Sequence, residues 1–141
     1  MSVSRSEITR VASYGIIEDG EYLLLCRLSS AVGDYAGWWA LPGGGLDFGE
    51  HPEAGMVREV EEETGLLVRP AGLLGIDSLN RETENDSFHG IRIIYRAEVT
   101  GGELRYEAEG TTDMCQWQKR TLIPALDRVS LVDAALNMAG L

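Results

Sequence analysis

Hydrophobic and polar positions change rhythm several times along the chain, and each change predicts an element. Residues 11–18 and 22–28 are two apolar runs joined at Asp19-Gly20. An Asp-Gly pair between such runs predicts a β-hairpin, because glycine takes the positive φ that a tight turn needs. In the second run Tyr22, Leu24, Cys26 and Leu28 alternate with Leu23 and Leu25, so this strand is expected to be buried on both sides. The pattern is lost over residues 29–37, where a loop is expected. Residues 38–41 read as a short strand that stops at Pro42, which has no N–H to pair. Gly43-Gly44-Gly45 predicts a tight turn. The period then becomes helical over residues 52–64. Pro52 suits a first turn, Met56, Val57, Val60 and Thr64 form the buried stripe, and Gly65 is placed to end it. His51 stands where Ser, Thr or Asp would cap best, so the helix start is expected to be weak.

The second half is richer in strands. Residues 66–79 are extended and apolar, with Pro70 confining the stretch to a sheet edge or splitting it. The polar residues 80–87 read as a surface loop. A strand follows over 88–100, with Ile91, Ile93, Ile94, Tyr95 and Val99 giving its β character. Gly101-Gly102 turns the chain, residues 107–112 read as a second acidic loop, and 114–118 as a final short strand. A short helical stretch is expected over 122–126. Residues 130–139 read as a closing helix, with Ser130 and Asp133 as a capping-box-like pair and Leu131, Ala134, Ala135 and Met138 on one face. No linker divides the chain, so residues 1–141 read as one mixed α+β domain.

Composition narrows the chemistry. The 141 residues include 23 acids against 12 lysines and arginines, a formal net charge of −11. Bulk attraction to duplex nucleic acid or to an acidic membrane surface is therefore excluded, since phosphates need cationic neutralisation. Cys26 and Cys115 form no C-x-x-C pair, and with only His51 and His89 beside them they make no usual zinc spacing. Both read as small apolar fillers in strands. Residues 1–10 lack the apolar stretch of a signal peptide, and nothing approaches the ~20 apolar residues of a membrane span. The expected location is the cytoplasm, with no membrane partner.

The acids are unevenly placed: residues 44–66 hold seven acids and one base. On a helix Glu59, Glu62 and Glu63 stand at i, i+3 and i+4 and share one face, while Glu61 points elsewhere. Three like charges on one face repel, and Arg58 alone cannot balance them. A solvated acidic face is one reading. A site for hard divalent cations explains the clustering beside a glycine-rich turn better, because carboxylate oxygens suit Mg²⁺ or Mn²⁺.

Gly44, Glu50, Arg58-Glu59-Val60, Glu62-Glu63 and Gly65-Leu66 fall at the spacing G-x5-E-x7-R-E-U-x-E-E-x-G-U, with U aliphatic. Every defined position matches, so the chain resembles the Nudix hydrolase family, MutT-like proteins included. Trp39-Ala40-Leu41-Pro42-Gly43-Gly44 also resembles the strand and turn that lead into this box. The resemblance implies a Nudix-type α/β/α sandwich around a mixed β-sheet. It implies Mg²⁺- or Mn²⁺-dependent hydrolysis of the pyrophosphate bond in a nucleoside diphosphate linked to another moiety, by in-line attack of an activated water.

Carried over by position, Glu59, Glu62 and Glu63 are the implied metal ligands, and Glu62 and Glu63 are counted as catalytic. The backbone carbonyl of Gly43 or Gly44 adds a ligand at the turn, where Gly44 also meets the substrate. Arg58 and Glu50 hold the loop against the helix, and Glu50 also reaches the metal through water. The general base of such enzymes often lies on a later loop. Glu107 and Glu109 are the candidates, Glu109 the favoured one, with a solvated loop acid as the alternative. Arg27, ending the second strand, is either a phosphate contact or a strand-end surface charge. The proline that marks ADP-ribose hydrolases is missing from the polar run 80–83, and the diadenosine polyphosphate and NADH-type signatures are absent. The rival functions are a non-catalytic nucleotide-binding or regulatory module and isoprenoid diphosphate isomerisation on the same fold. Homodimers are frequent among proteins of this kind.

Overall fold

The Asp19-Gly20 hairpin forms as expected. In the computed structural model, which describes residues 6–106 and 110–141, β1 (Ser6–Asp19) turns at Gly20, φ +58°, into β2 (Tyr22–Leu28). The two strands pair only near the turn, at Glu18↔Leu23 and Asp19↔Tyr22, and then diverge. β2 takes β3 (Trp39–Ala40) on one side and β7 (Thr112–Lys119) on the other, both antiparallel. β1 instead runs parallel to β6 (Asp86–Gly102), and β6 pairs antiparallel with β5 (Leu66–Glu82). β4 (Gly43–Gly45) adds to β1 antiparallel, completing a mixed sheet of 7 strands.

Alternation along the central strands builds two cores. Ile17, Leu24 and Tyr95 face helix α1 (Pro52–Thr64), whose Met56 and Val60 are fully buried against them. Ile16, Leu23, Leu25 and Ile94 face the opposite way, against Leu131, Val132 and Ala135 of α2 (Ser130–Ala139). The continuous Leu23-Leu24-Leu25 run is thus buried on both faces, as its lack of polar alternation requires. The layers are helix, sheet, helix, an α+β arrangement. Among the described residues no helix is long and apolar enough to cross a membrane.

Several elements depart from the sequence expectation. Residues 80–87 are mostly strand: β5 and β6 continue past the helices and close on a tight turn, where the Thr83 N–H donates to the Asp86 carbonyl at 2.8 Å. β1 is likewise already strand at Ser6, the first described residue, ahead of the expected residue 11. These polar strand ends carry little apolar signal because they are largely exposed. Pro70 neither splits β5 nor needs an N–H there, since β5 is the outer strand of the path. The register shifts between Pro70 and Leu73 instead. The 29–37 stretch holds a 3₁₀ turn, Ser30–Tyr35, capped by Ser29. A second, Arg120–Ala125, stands where the short helical stretch was expected. His51 does cap α1: its Nδ1 accepts from the Glu53 N–H at 3.1 Å. The Ser130–Asp133 capping pair does not form. Val129 is the N-cap of α2, and Asp133 accepts from Arg128 at 3.1 Å.

Candidate active site

The three glycines expected to make a turn instead pair with β1, and the first two of these positions admit no side chain easily. Gly43 has φ +148°, and a β-carbon there would lie 2.3 Å from the Ser13 carbonyl oxygen. At Gly44 a β-carbon would stand 2.8 Å from the Glu59 carboxylate. The bare backbone of β4 is what lets the acidic face of α1 lie directly against the strand.

Arg58 organises that contact. Its Nε and Nη2 donate to the two oxygens of Glu50, both at 2.8 Å, a bidentate pair. Nη2 also donates to the Gly45 carbonyl at 3.2 Å. Nη1 donates to Glu59 at 3.0 Å and to Glu62 at 3.2 Å, and Asp47 lies 3.4 Å from Nε. One guanidinium thus joins the loop, β4 and α1. Its hydrogen bonds, with that from the Asp47 N–H, hold the Glu50 carboxyl down at about 2. Glu50 in turn pushes Arg58 above its ordinary range.

The acids predicted on one face have three environments. Glu62 is half exposed at 50%, Glu59 is 17% exposed between Arg58 and Gly44, and Glu63 is only 5% exposed. Glu63 Oε2 is buried without a hydrogen-bond partner. Burial, and then the charge of Glu59, push its carboxyl well above the usual range, against lowering hydrogen bonds from Cys26 and the Gly43 N–H.

Beneath Glu63 lie Cys26 and Cys115, opposite each other in the β2–β7 register with Sγ atoms 3.1 Å apart. Cys115 donates to the Glu63 carbonyl at 3.1 Å. The cysteines are core residues, as expected for apolar fillers, but they also floor the buried acid. The sequence carries no signal of this, because only β2–β7 pairing brings together residues 89 apart. Asp47 was likewise missed as a partner of Arg58.

No three His, Cys, Asp or Glu side chains converge into a ready cation cage among the described residues. The donor set fits a different kind of site. Two carboxylates share one guanidinium nitrogen, a third acid has a buried orphaned oxygen, and the strand beside them is bare backbone. Mg²⁺ commonly takes one or two carboxylates and fills its octahedron with waters and substrate phosphates. Glu59, Glu62 and Glu63 fit that pattern.

Arg27 lies outside this cluster: it ends β2 and donates to Asp113 at 2.8 Å. Glu107 and Glu109 fall outside the described residues. A groove of about 670 Å³ runs along the opposite flank of α1, lined by His51, Glu53, Val57, Arg58, Glu61 and Pro70. None of the three acids lines it.

Comparison with known proteins adds the following. The family model described as the NUDIX domain matches residues 8–135. An ADP-ribose pyrophosphatase of Methanocaldococcus jannaschii is 41% identical over 97 residues, 67% of this chain and 54% of that protein. The 8-oxo-dGDP phosphatase NUDT18 of Homo sapiens is 33% identical over 124 residues, covering 84% of this chain and 35% of that protein. The chain spans about half the length, or less, of these curated relatives. Among solved structures, a MutT NUDIX hydrolase from Burkholderia pseudomallei superposes with a TM-score of 0.80 at 26% identity, over 93% of this chain and 98% of that one.

Proposed function

Because the chain belongs to the NUDIX family, we propose that it hydrolyses the pyrophosphate bond of a nucleoside diphosphate linked to another moiety, using Mg²⁺ or Mn²⁺ on the acidic face of α1. One observation carries this reading: Glu59 lies against the side-chain-free Gly44, Glu62 shares the Arg58 guanidinium with it, and the buried Glu63 stands on the same helix face next to Gly43. Glu59, Glu62 and Glu63 would hold the cation, with the Gly43 or Gly44 carbonyl as a further ligand. When bound, a divalent ion supplies positive charge to the diphosphate and to the attacking and leaving oxygens of an in-line displacement.

The chain's own residues do the rest. Gly44 leaves room for the Glu59 carboxylate against the strand. Arg58 fixes Glu59 and Glu62 in place, and its bidentate grip on Glu50 ties the 46–50 loop to the helix. Glu50 would reach the ion only through water, since Arg58 and the Asp47 N–H already occupy its oxygens. Glu109 takes the proton from the attacking water. Arg27 would meet a phosphate by exchanging Asp113 for it, a trade of one anion for another.

The names of the relatives support the substrate class. An ADP-ribose pyrophosphatase and an 8-oxo-dGDP phosphatase both act on nucleoside diphosphate derivatives. The missing downstream proline keeps the choice within that class open. The test is phosphate release from nucleoside diphosphates, nucleoside triphosphates and nucleotide sugars with Mg²⁺ or Mn²⁺, coupled separately to pyrophosphatase and to phosphatase. Metal-dependent release from at least one nucleoside diphosphate derivative is expected. No turnover across the panel overturns the reading and favours a binding module.

A further inference from the structure

A net charge of −11 repels a diphosphate except where cations are free to meet it. Among the described residues, nearly all the cations are already committed. Arg27, Arg58, Arg69, Arg92, Arg96, Arg120, Arg128 and Lys119 each lie within 4.0 Å of a carboxylate. Arg81 sits over the Phe88 ring, and Arg105 donates to the Glu61 carbonyl. Arg10, exposed on β1, has no carboxylate partner among the described residues.

Arg10 is nevertheless held in place. Its Nη2 and Nε lie 2.9 and 3.0 Å from where a β-carbon of Gly45 would sit, and its positive charge partly offsets the burial that raises the Tyr14 hydroxyl. Gly45 thus makes room for Arg10 as Gly44 makes room for Glu59. Consecutive strand residues face opposite sides, so β4 has the acids of α1 on one side and this uncompensated cation on the other. β4 pairs only with β1 among the described strands, which makes it an outer strand that an extended ligand can lie across.

We propose that Arg10, seated against Gly45, binds a phosphate oxygen of the substrate on the side of β4 away from the acids. The inference rests on the function proposed above and deepens it: the substrate is gripped at two points, through divalent metal on one side and by protein cation on the other. A guanidinium suits this task because its fork of donors matches phosphate oxygens.

The test is binding of α,β-methylene-ADP and of adenosine, with Mg²⁺ present, to the intact chain and to Arg10→Gln and Arg10→Lys, alongside turnover on the active substrates. Arg10→Gln is expected to raise the Kd for α,β-methylene-ADP tenfold or more, to weaken its salt dependence, and to leave adenosine binding within twofold. Arg10→Lys is expected to recover part of the loss, and in turnover the effect should appear mainly in KM. An unchanged Kd and KM in Arg10→Gln overturns the inference while wild-type turnover upholds the proposed function. An equal loss for adenosine assigns Arg10 to the base and overturns it too. A wild-type chain that hydrolyses nothing removes the function and this inference together.

Discussion

Arg58 holds Asp47, Glu50, Glu59 and Glu62 at once, and its partners respond differently. Glu50 is the clearest case, with its carboxyl drawn down to about 2 from an ordinary 4.5. A carboxyl depressed in the folded state stabilises the fold above its unfolded value and loses that contribution as pH falls through its folded value. The metal-free protein should therefore lose stability between about pH 4.5 and 2 through this pair. Urea titrations across that range, wild type against Glu50→Gln, should show a shallower acid decline in the variant; parallel curves would remove the pair from the account. Glu109 makes a separate prediction: Glu109→Gln should lower kcat by about 10²–10⁴ and erase the base limb of the pH profile, and an unaltered profile would acquit it. The sharing of one helix face by Glu59, Glu62 and Glu63 was legible in the sequence, because i, i+3, i+4 spacing is local. The burial of Glu63 was not, because it depends on β2 and β7 meeting beneath the helix.

At the scale of elements, α1 is fixed by its apolar stripe and only modestly by its ends. Met56 and Val60 are fully buried between β1, β5 and β6, so the stripe read from periodicity is the real anchor. Met56→Ala should cost about 2–5 kcal/mol, measured by urea unfolding; a loss under about 1 kcal/mol would mean that the helix is held chiefly by Arg58. The start of α1 shows a limit of capping rules: His51 supplies the acceptor that a Ser or Asp would. The polar ends of β1, β5 and β6 show another limit. Hydropathy reports which residues are covered, and these strands pair their backbones where little covers them. Gly43-Gly44-Gly45 reads as a turn from composition, yet it pairs as a strand because β1 offers a free edge there.

Across the whole molecule, the acidity is unevenly spread, with seven acids against one base over residues 44–66. Repulsion among the α1 acids is partly relieved by Arg58, and under the proposed function a divalent ion would neutralise the rest. The box spacing made the placement of these acids on one helix readable, because they sit on one continuous segment. The Arg10 side of β4 was unreadable, since it needs the β4–β1 register. The most direct test of the central claim is Mg²⁺-dependent kcat on the best substrate of the panel, for wild type and for the Glu62→Gln, Glu63→Gln double variant, with circular dichroism on both. Glutamine nearly matches glutamate in volume, and Glu63 is already held toward its neutral form by burial, so the fold should survive. A native spectrum with kcat reduced to the EDTA-treated background is expected; a native spectrum with near-normal kcat would contradict metal-dependent hydrolysis on the α1 acids.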